Sequence, residues 1–192
     1  MIINLYVIII MAFNQQDTEC MALALKLSKL GRGSVGANPM VGCVITRDDN
    51  IIAQDYHRQH GESHAEVNAL DQINHKAHNC NVYVTLEPCS HQGKTPPCVK
   101  ALINANVSKV FVATLDSNPE VSGSGVRLLR DSGIEVEVGL LENAALEVNR
   151  GFFKRMKTGL PFVTSKIAMS LDGRVAMKNG QSKWITSDAS RN

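Results

Sequence analysis

The sequence predicts an α/β protein, a three-layer α/β/α sandwich around a mixed five-stranded sheet. Three observations predict it. Five short β-rich runs are interleaved with segments of helical periodicity. The first two runs flank a tight polar turn, whereas the later runs are separated by helical segments, so an opening hairpin passes into parallel pairing. Hydrophobic residues make up 44% of the 192, enough for a packed core and too many for a disordered chain.

The elements follow in order. Asp17 to Leu30 carries Met21, Leu23, Ala24, Leu25, Leu27 and Leu30 at helical spacing, and Gly31 and Gly33 end it. Asn38-Pro39 marks a turn. Val41 to Ile45 and Ile51 to Ala53 read as strands around the turn Arg47-Asp48-Asp49-Asn50. His64 to Ile73 reads as a helix with Val67 and Leu70 on one face. Asn81 to Leu86 is the third strand and runs into Glu87-Pro88-Cys89. A polar loop leads to Thr95-Pro96-Pro97-Cys98, where Thr suits an N-cap and Pro the first helical position, so a helix through Asn104 is expected with Cys98 near its third position. Lys109 to Ala113 and Ile134 to Val138 are the last two strands, with a helix over Val126 to Arg130 between them. One helix is expected over Glu142 to Lys154. Pro161 opens a new unit with a strand from Phe162 toward Gly173, then a turn and Trp184-Ile185-Thr186-Ser187. The expected division is an N-terminal extension at 1–14, a main domain at 15–157 and the start of a second domain at 158–192.

Composition narrows the function. A formal net charge of +2, with no dense Lys/Arg run, speaks against a nucleic-acid surface. The apolar start, residues 1–10, is too short to span a bilayer and lacks a basic leader, so it is read as dispensable, with Met11 resembling an ordinary cytosolic start. Five cysteines cannot all pair, and two sit in a metal-like pattern, so a reducing, cytoplasmic setting without membrane attachment is expected.

The chemistry is concentrated in His64-Ala65-Glu66, Pro88-Cys89 and Cys98. One imidazole and two thiolates give three zinc ligands and leave the fourth tetrahedral position open, the layout of a catalytic rather than a structural site. Glu66 lies two residues past the histidine, where it can move protons without binding the metal. Both cysteines are expected near helix starts, whose positive ends favour thiolates. H-x-E followed by P-C-x-x-C is the signature of zinc-dependent base deaminases. Here eight residues separate the cysteines instead of two. Cys20, Cys43 and Cys80 read as core or surface thiols, and His60, His75 and His78 as solvated.

Thr85 to Cys98, with its long gap between cysteines, resembles the zinc loop of the bifunctional riboflavin biosynthesis deaminase/reductase family. Asn38-Pro39-Met40-Val41-Gly42, Gly61 to Glu66, and Asp116 to Pro119 with Ser122 to Gly125 resemble its other loops, and Lys166 to Gly173 with Ser182 to Ser187 the start of its reductase domain. The resemblance implies a cytidine-deaminase-like fold followed by a fragment of a dihydrofolate-reductase-like domain. It implies zinc on His64, Cys89 and Cys98, with Glu66 as proton shuttle. Asn38, His57, His91 and Lys94 would contact a small phosphorylated diaminopyrimidine, with Lys94 placed for its ribose phosphate. In the reductase part, Ala168 and Trp184 would meet NADPH and Ser182 the substrate, but no reductase activity is expected from so short a stretch. Self-association is left open. Two other readings stand beside this one: a nucleoside or tRNA base deaminase, which shares the zinc chemistry, and a structural zinc module that binds partners, which would normally close its site with four protein ligands.

Overall fold

The computed structural model describes residues 13–93, 95–118, 122–183 and 187–190. The apolar start, Lys94 and Trp184 therefore lie outside the described residues. The chain divides into two compact units, one ending at Pro161 and one running from Phe162.

In the first unit, helix α1 spans Gln15–Ser28. Asn14 caps it through a reciprocal pair: the Asp17 amide donates to Asn14 Oδ1 at 2.8 Å and the Asn14 amide donates to Asp17 Oδ2 at 3.0 Å. Strands β1 (Gly42–Arg47) and β2 (Asn50–Tyr56) form the expected hairpin; β2 is longer at both ends than its apolar run, and β1 starts one residue later and extends two residues further toward the turn. Asp48 and Asp49 adopt φ of 47° and 65°, and two consecutive left-handed residues are what a two-residue hairpin turn requires. Helix α2 is Ala65–Asp71, β3 is Asn81–Val84, α3 is Cys98–Asn104 and β4 is Lys109–Val112. Helix α4 (Ser124–Asp131) and β5 (Glu135–Val138) complete the sheet region.

The sheet order is β2-β1-β3-β4-β5. β1 pairs antiparallel with β2 and β3, while β3–β4 and β4–β5 are parallel, as the hairpin-then-crossover pattern predicts. Alternation along the strands feeds two cores. Ile45, Val82, Val84 and Val110 face α2, α3 and α4, whereas Val44, Tyr83 and Phe111 face Met21, Ala24 and Leu25 of α1. The stacked rings of Tyr83 and Phe111, with centroids 4.7 Å apart, anchor that second core. Tyr83 also donates its hydroxyl to Asp17 Oδ1 at 2.8 Å, which satisfies the buried carboxylate.

Gly42 marks where α1 meets the sheet. A Cβ at that position would sit 2.0 Å from the Ala24 carbonyl oxygen, a backbone atom with no freedom to move aside. Gly42→Ala is therefore expected to displace α1 and cost about 1–3 kcal/mol, read as a Tm lowered by several degrees in thermal unfolding; an unchanged Tm would refute the close approach.

Three expectations need correction. The helix after the proline pair starts at Cys98, not near Thr95, and Pro97 is its cap with φ −59° and ψ 131°. A residue preceding proline is driven out of the helical region, so Pro96 cannot open a helix while Pro97 follows it. Cys98 is thus the first helical residue rather than the third. The single helix expected over Glu142–Lys154 is two, α5 (Glu142–Val148) and α6 (Arg150–Thr158). Asn149 breaks them apart: its side chain accepts from the Met40 amide and donates to the Met40 carbonyl, each at 2.8 Å, which favours φ −109° at a buried position over helical continuity. Finally, no strand forms between Phe162 and Gly173. In this second unit the described backbone closes tight turns, Gly173 to Ser170 and Gly180 to Met177, and the apolar side chains of Val163, Ile167 and Leu171 are exposed. A strand needs a partner ladder, and none is present among the described residues of that unit.

Candidate active site

Four chain segments converge at one end of the sheet. β3 and β4 are parallel, so the residues just after both lie at the same end. β1 runs against β3, which brings its beginning there, and the β2 end pairs with that beginning through Gly42 and Tyr56. Asn38, His57, Cys89 and Asp116 follow directly from this topology. They line one cavity of about 350 Å³ together with His64, Glu66 and His91. Ligand sites in α/β sheets gather at such carboxyl ends.

His64 is the N-cap of α2, in extended backbone at ψ 166°, and Glu66 occupies the first turn behind it. The extended cap turns the imidazole toward the strand ends while the helix buries the carboxylate, which is 3% exposed. His64 Nδ1 lies 3.1 Å from Cys98 Sγ and 3.5 Å from Cys89 Sγ, and all three ligand atoms lie within 4.8 Å of one another. One zinc ion, at about 2.1 Å from nitrogen and 2.3 Å from sulfur, can bridge atoms so spaced. The long cysteine gap closes geometrically, because the Val99 amide donates to the Cys89 carbonyl and the Cys98 amide donates to Cys89 Sγ at 3.3 Å. Cys89 stands at no helix start of its own, contrary to expectation; its sulfur reaches the start of α3 instead.

The electrostatics agree with a cation site. Hydrogen bonding from Cys98, against burial and with help from His64, holds the Cys89 thiol down to about 4, while its bond to Cys89 and burial push Cys98 up. Burial raises Glu66 above its ordinary value, with His64 pulling it back in part. Among the described residues, two buried polar atoms on the cavity wall have no protein partner, Glu66 Oε2 and His57 Nε2. His57 Nδ1 lies 3.1 Å from the Ser63 carbonyl oxygen, which can only accept. That bond fixes the proton on Nδ1 and leaves Nε2 as a bare acceptor. The His57 ring also stands edge-on to His64, with centroids 5.2 Å apart. A sulfur and imidazole donor set beside two unpartnered buried polar atoms fits a zinc ion with a polar ligand above it.

The other expected site residues distribute unevenly. Asn38 and the exposed His91 line the cavity. His60, read as solvated, is exposed but lines it too. Cys20, Cys43 and Cys80 are buried, as the core reading requires. Ala168 and Ser182 belong to the second unit, where Ala168 is half-buried and Ser182 exposed.

Several residues were not anticipated. Glu87 is 4% exposed and gathers four backbone amides: Asp116 and Gly123 donate to Oε2 at 3.1 and 2.9 Å, Gly125 and Val126 to Oε1 at 2.9 and 3.3 Å. It thereby ties the zinc loop to the segment after β4, which supplies Asp116 and Asn118 to the cavity. Helix α6 adds Phe152, Arg155 and Met156. The position of Glu87 beside Pro88-Cys89 was the only available sequence signal for it, and nothing marked the α6 residues.

Comparison with known proteins agrees with the geometry. The family model for the cytidine and deoxycytidylate deaminase zinc-binding region matches residues 14–114, and the model for the RibD C-terminal domain matches 161–192. The chain is 50% identical over 176 residues to the riboflavin biosynthesis protein RibD of Escherichia coli, covering 92% of this chain and 48% of that protein. It thus spans about half the length of such relatives. It is 49% identical over 146 residues to a diaminohydroxyphosphoribosylamino-pyrimidine deaminase of Buchnera aphidicola, covering 76% of this chain and 99% of the relative. The solved structure of Acinetobacter baumannii RibD, form 1, superposes with a TM-score of 0.85 at 51% identity, over 92% of this chain and 49% of that one. With the ligand cluster inside the matched region, the chain belongs to the cytidine and deoxycytidylate deaminase zinc-binding family, among its RibD relatives.

Proposed function

We propose that this chain hydrolyses 2,5-diamino-6-(5-phosphoribosylamino)pyrimidin-4(3H)-one to 5-amino-6-(5-phosphoribosylamino)uracil and ammonia, a step of riboflavin biosynthesis. The observation that carries this reading is the buried, unpartnered Glu66 Oε2 beside the His64, Cys89 and Cys98 cluster, in a stretch matched along 99% of a deaminase relative. His64, Cys89 and Cys98 would hold zinc, which when bound supplies a hydrolytic nucleophile at neutral pH. Glu66 takes one proton from the attacking water and delivers it to the adjacent ring nitrogen, then carries the proton left on the added hydroxyl to the amine as the C–N bond breaks. Water and the substrate thereby yield the oxo product and ammonia in balance. His57 Nε2 accepts a hydrogen bond from the substrate, and Asn38 and His91 contact it from the facing walls. Lys94 is proposed for the ribose phosphate.

The division at 1–14, 15–157 and 158–192 is also proposed; the Gly159 cap of α6, with φ 71°, and the family match beginning at 161 support it. Ala168, Ser182 and Trp184 are assigned to the reductase half and its NADPH. The proposed partner is a small phosphorylated pyrimidine rather than a nucleic acid, and the proposed setting is the cytoplasm, supported by five free cysteines. No helix among the described residues is long and apolar enough to cross a membrane.

The test is incubation with the pyrimidine phosphate in isotope-labelled water, followed by mass spectrometry. The expected result is exchange of one amine for one labelled oxygen, abolished by a zinc chelator and restored by zinc. Turnover of free nucleosides or RNA in place of the pyrimidine would overturn the substrate assignment.

A further inference from the structure

Among the described residues, the charged side chains of the cavity wall do not match a phosphorylated substrate until one of them is counted, whatever Lys94 adds from the zinc loop. Glu62, Glu66, Glu87 and Asp116 bring four carboxylates to the wall. Glu87 is committed to four backbone amides, Asp116 Oδ1 accepts the Asn118 amide at 2.8 Å, and the buried Glu66 stands beside the metal cluster as its proton carrier. Against these stands Arg155, the only permanently charged cation among the described residues of the wall. Its guanidinium donates one hydrogen bond, from Nη2 to the Ala37 carbonyl at 2.9 Å, and no described carboxylate pairs with it. The Ala37 bond fixes the fork beside Asn38, on the cavity wall, and leaves its other N–H donors without a described protein acceptor. A half-buried guanidinium held in this way, without an anionic partner among the described residues, matches a phosphate, which arginine binds through paired donors.

We propose that Arg155 recognises the phosphate of the substrate and makes the cavity select phosphorylated over dephosphorylated pyrimidine. The proposal rests on the deaminase reading above and adds a residue on α6 that the zinc loop does not contain. Arg155 acts on binding rather than on the reacting carbon, so it governs KM and not kcat.

The experiment compares the unsubstituted protein with Arg155→Gln and Arg155→Lys. Glutamine keeps a donor for the Ala37 carbonyl and removes the charge; lysine restores the charge without the fork. The expected result is a KM for the phosphorylated pyrimidine raised about tenfold or more in Arg155→Gln, with kcat and the KM for the dephosphorylated compound unchanged and Arg155→Lys intermediate. Binding of ribose 5-phosphate, measured by calorimetry on the zinc-loaded protein, is expected to weaken in the same order. An unchanged KM together with unchanged ribose 5-phosphate binding would overturn the proposal, as would an equal KM rise for both pyrimidines. Absence of turnover in the unsubstituted protein would count against the deaminase reading alone, because the ribose 5-phosphate measurement still decides for or against Arg155.

Discussion

Glu66→Gln is expected to cut kcat by about 10²–10⁴ while zinc content stays at one ion per chain. The substitution preserves shape and removes only the capacity to take up and release a proton. The metal should stay because its three ligand atoms come from His64, Cys89 and Cys98, with Glu66 behind them in the first turn of α2. Folding should survive as well, since Oε2 makes no hydrogen bond to the described residues that glutamine would forfeit. Metal analysis, thermal unfolding and steady-state rates on the same preparation separate the contributions. A zinc module that only binds partners would pass all three unchanged. Turnover within tenfold of the unsubstituted protein would therefore remove Glu66 from proton transfer and the deaminase mechanism with it.

The part of the site visible in the sequence is the part carried by adjacent residues. His64 and Glu66 sit two apart on a helix start, and Cys89 lies in the short loop that leaves β3, so local pattern places all three. The sheet was equally legible, because β-rich runs and a two-aspartate turn are short-range signals. What stayed hidden depends on distant partners. Asn149 breaks a stretch of helical periodicity because its side chain meets Met40, which is 109 residues away. The start of α3 was misplaced because the rule favouring proline at the first helical position met a second proline, whose restraint on its predecessor is stronger. The strand expected after Pro161 has the right residue types, but pairing is a property of two strands, and its apolar side chains are exposed. Arg155 looks like any surface arginine of an amphipathic helix until α6 is laid beside Asn38.

Glu87 is the strongest case of such long-range dependence, and Glu87→Ala is expected to be the most destabilising of these substitutions. Its carboxylate accepts amides from 29 to 39 residues further along the chain, two on each oxygen. Alanine would leave those donors facing a buried space that no other described side chain fills with an acceptor, at a cost of about 3 kcal/mol or more, equivalent to a Tm fall of roughly 6–12 °C. Glutamine should fall between, because its oxygen can serve one pair of amides while its NH₂ group confronts the other pair donor to donor. The same carboxylate explains the glycine at 125. α4 begins so close to the zinc loop that a Cβ there would lie 2.2 Å from the Pro88 carbonyl oxygen, an approach the Glu87 clamp enforces. Loosening the clamp should move Asp116 and Asn118 at the cavity wall and raise KM, while His64, Cys89 and Cys98 still hold zinc. A Glu87→Ala protein that unfolds at the original temperature and keeps its KM would show that the four amides find other partners and that the carboxylate organises nothing.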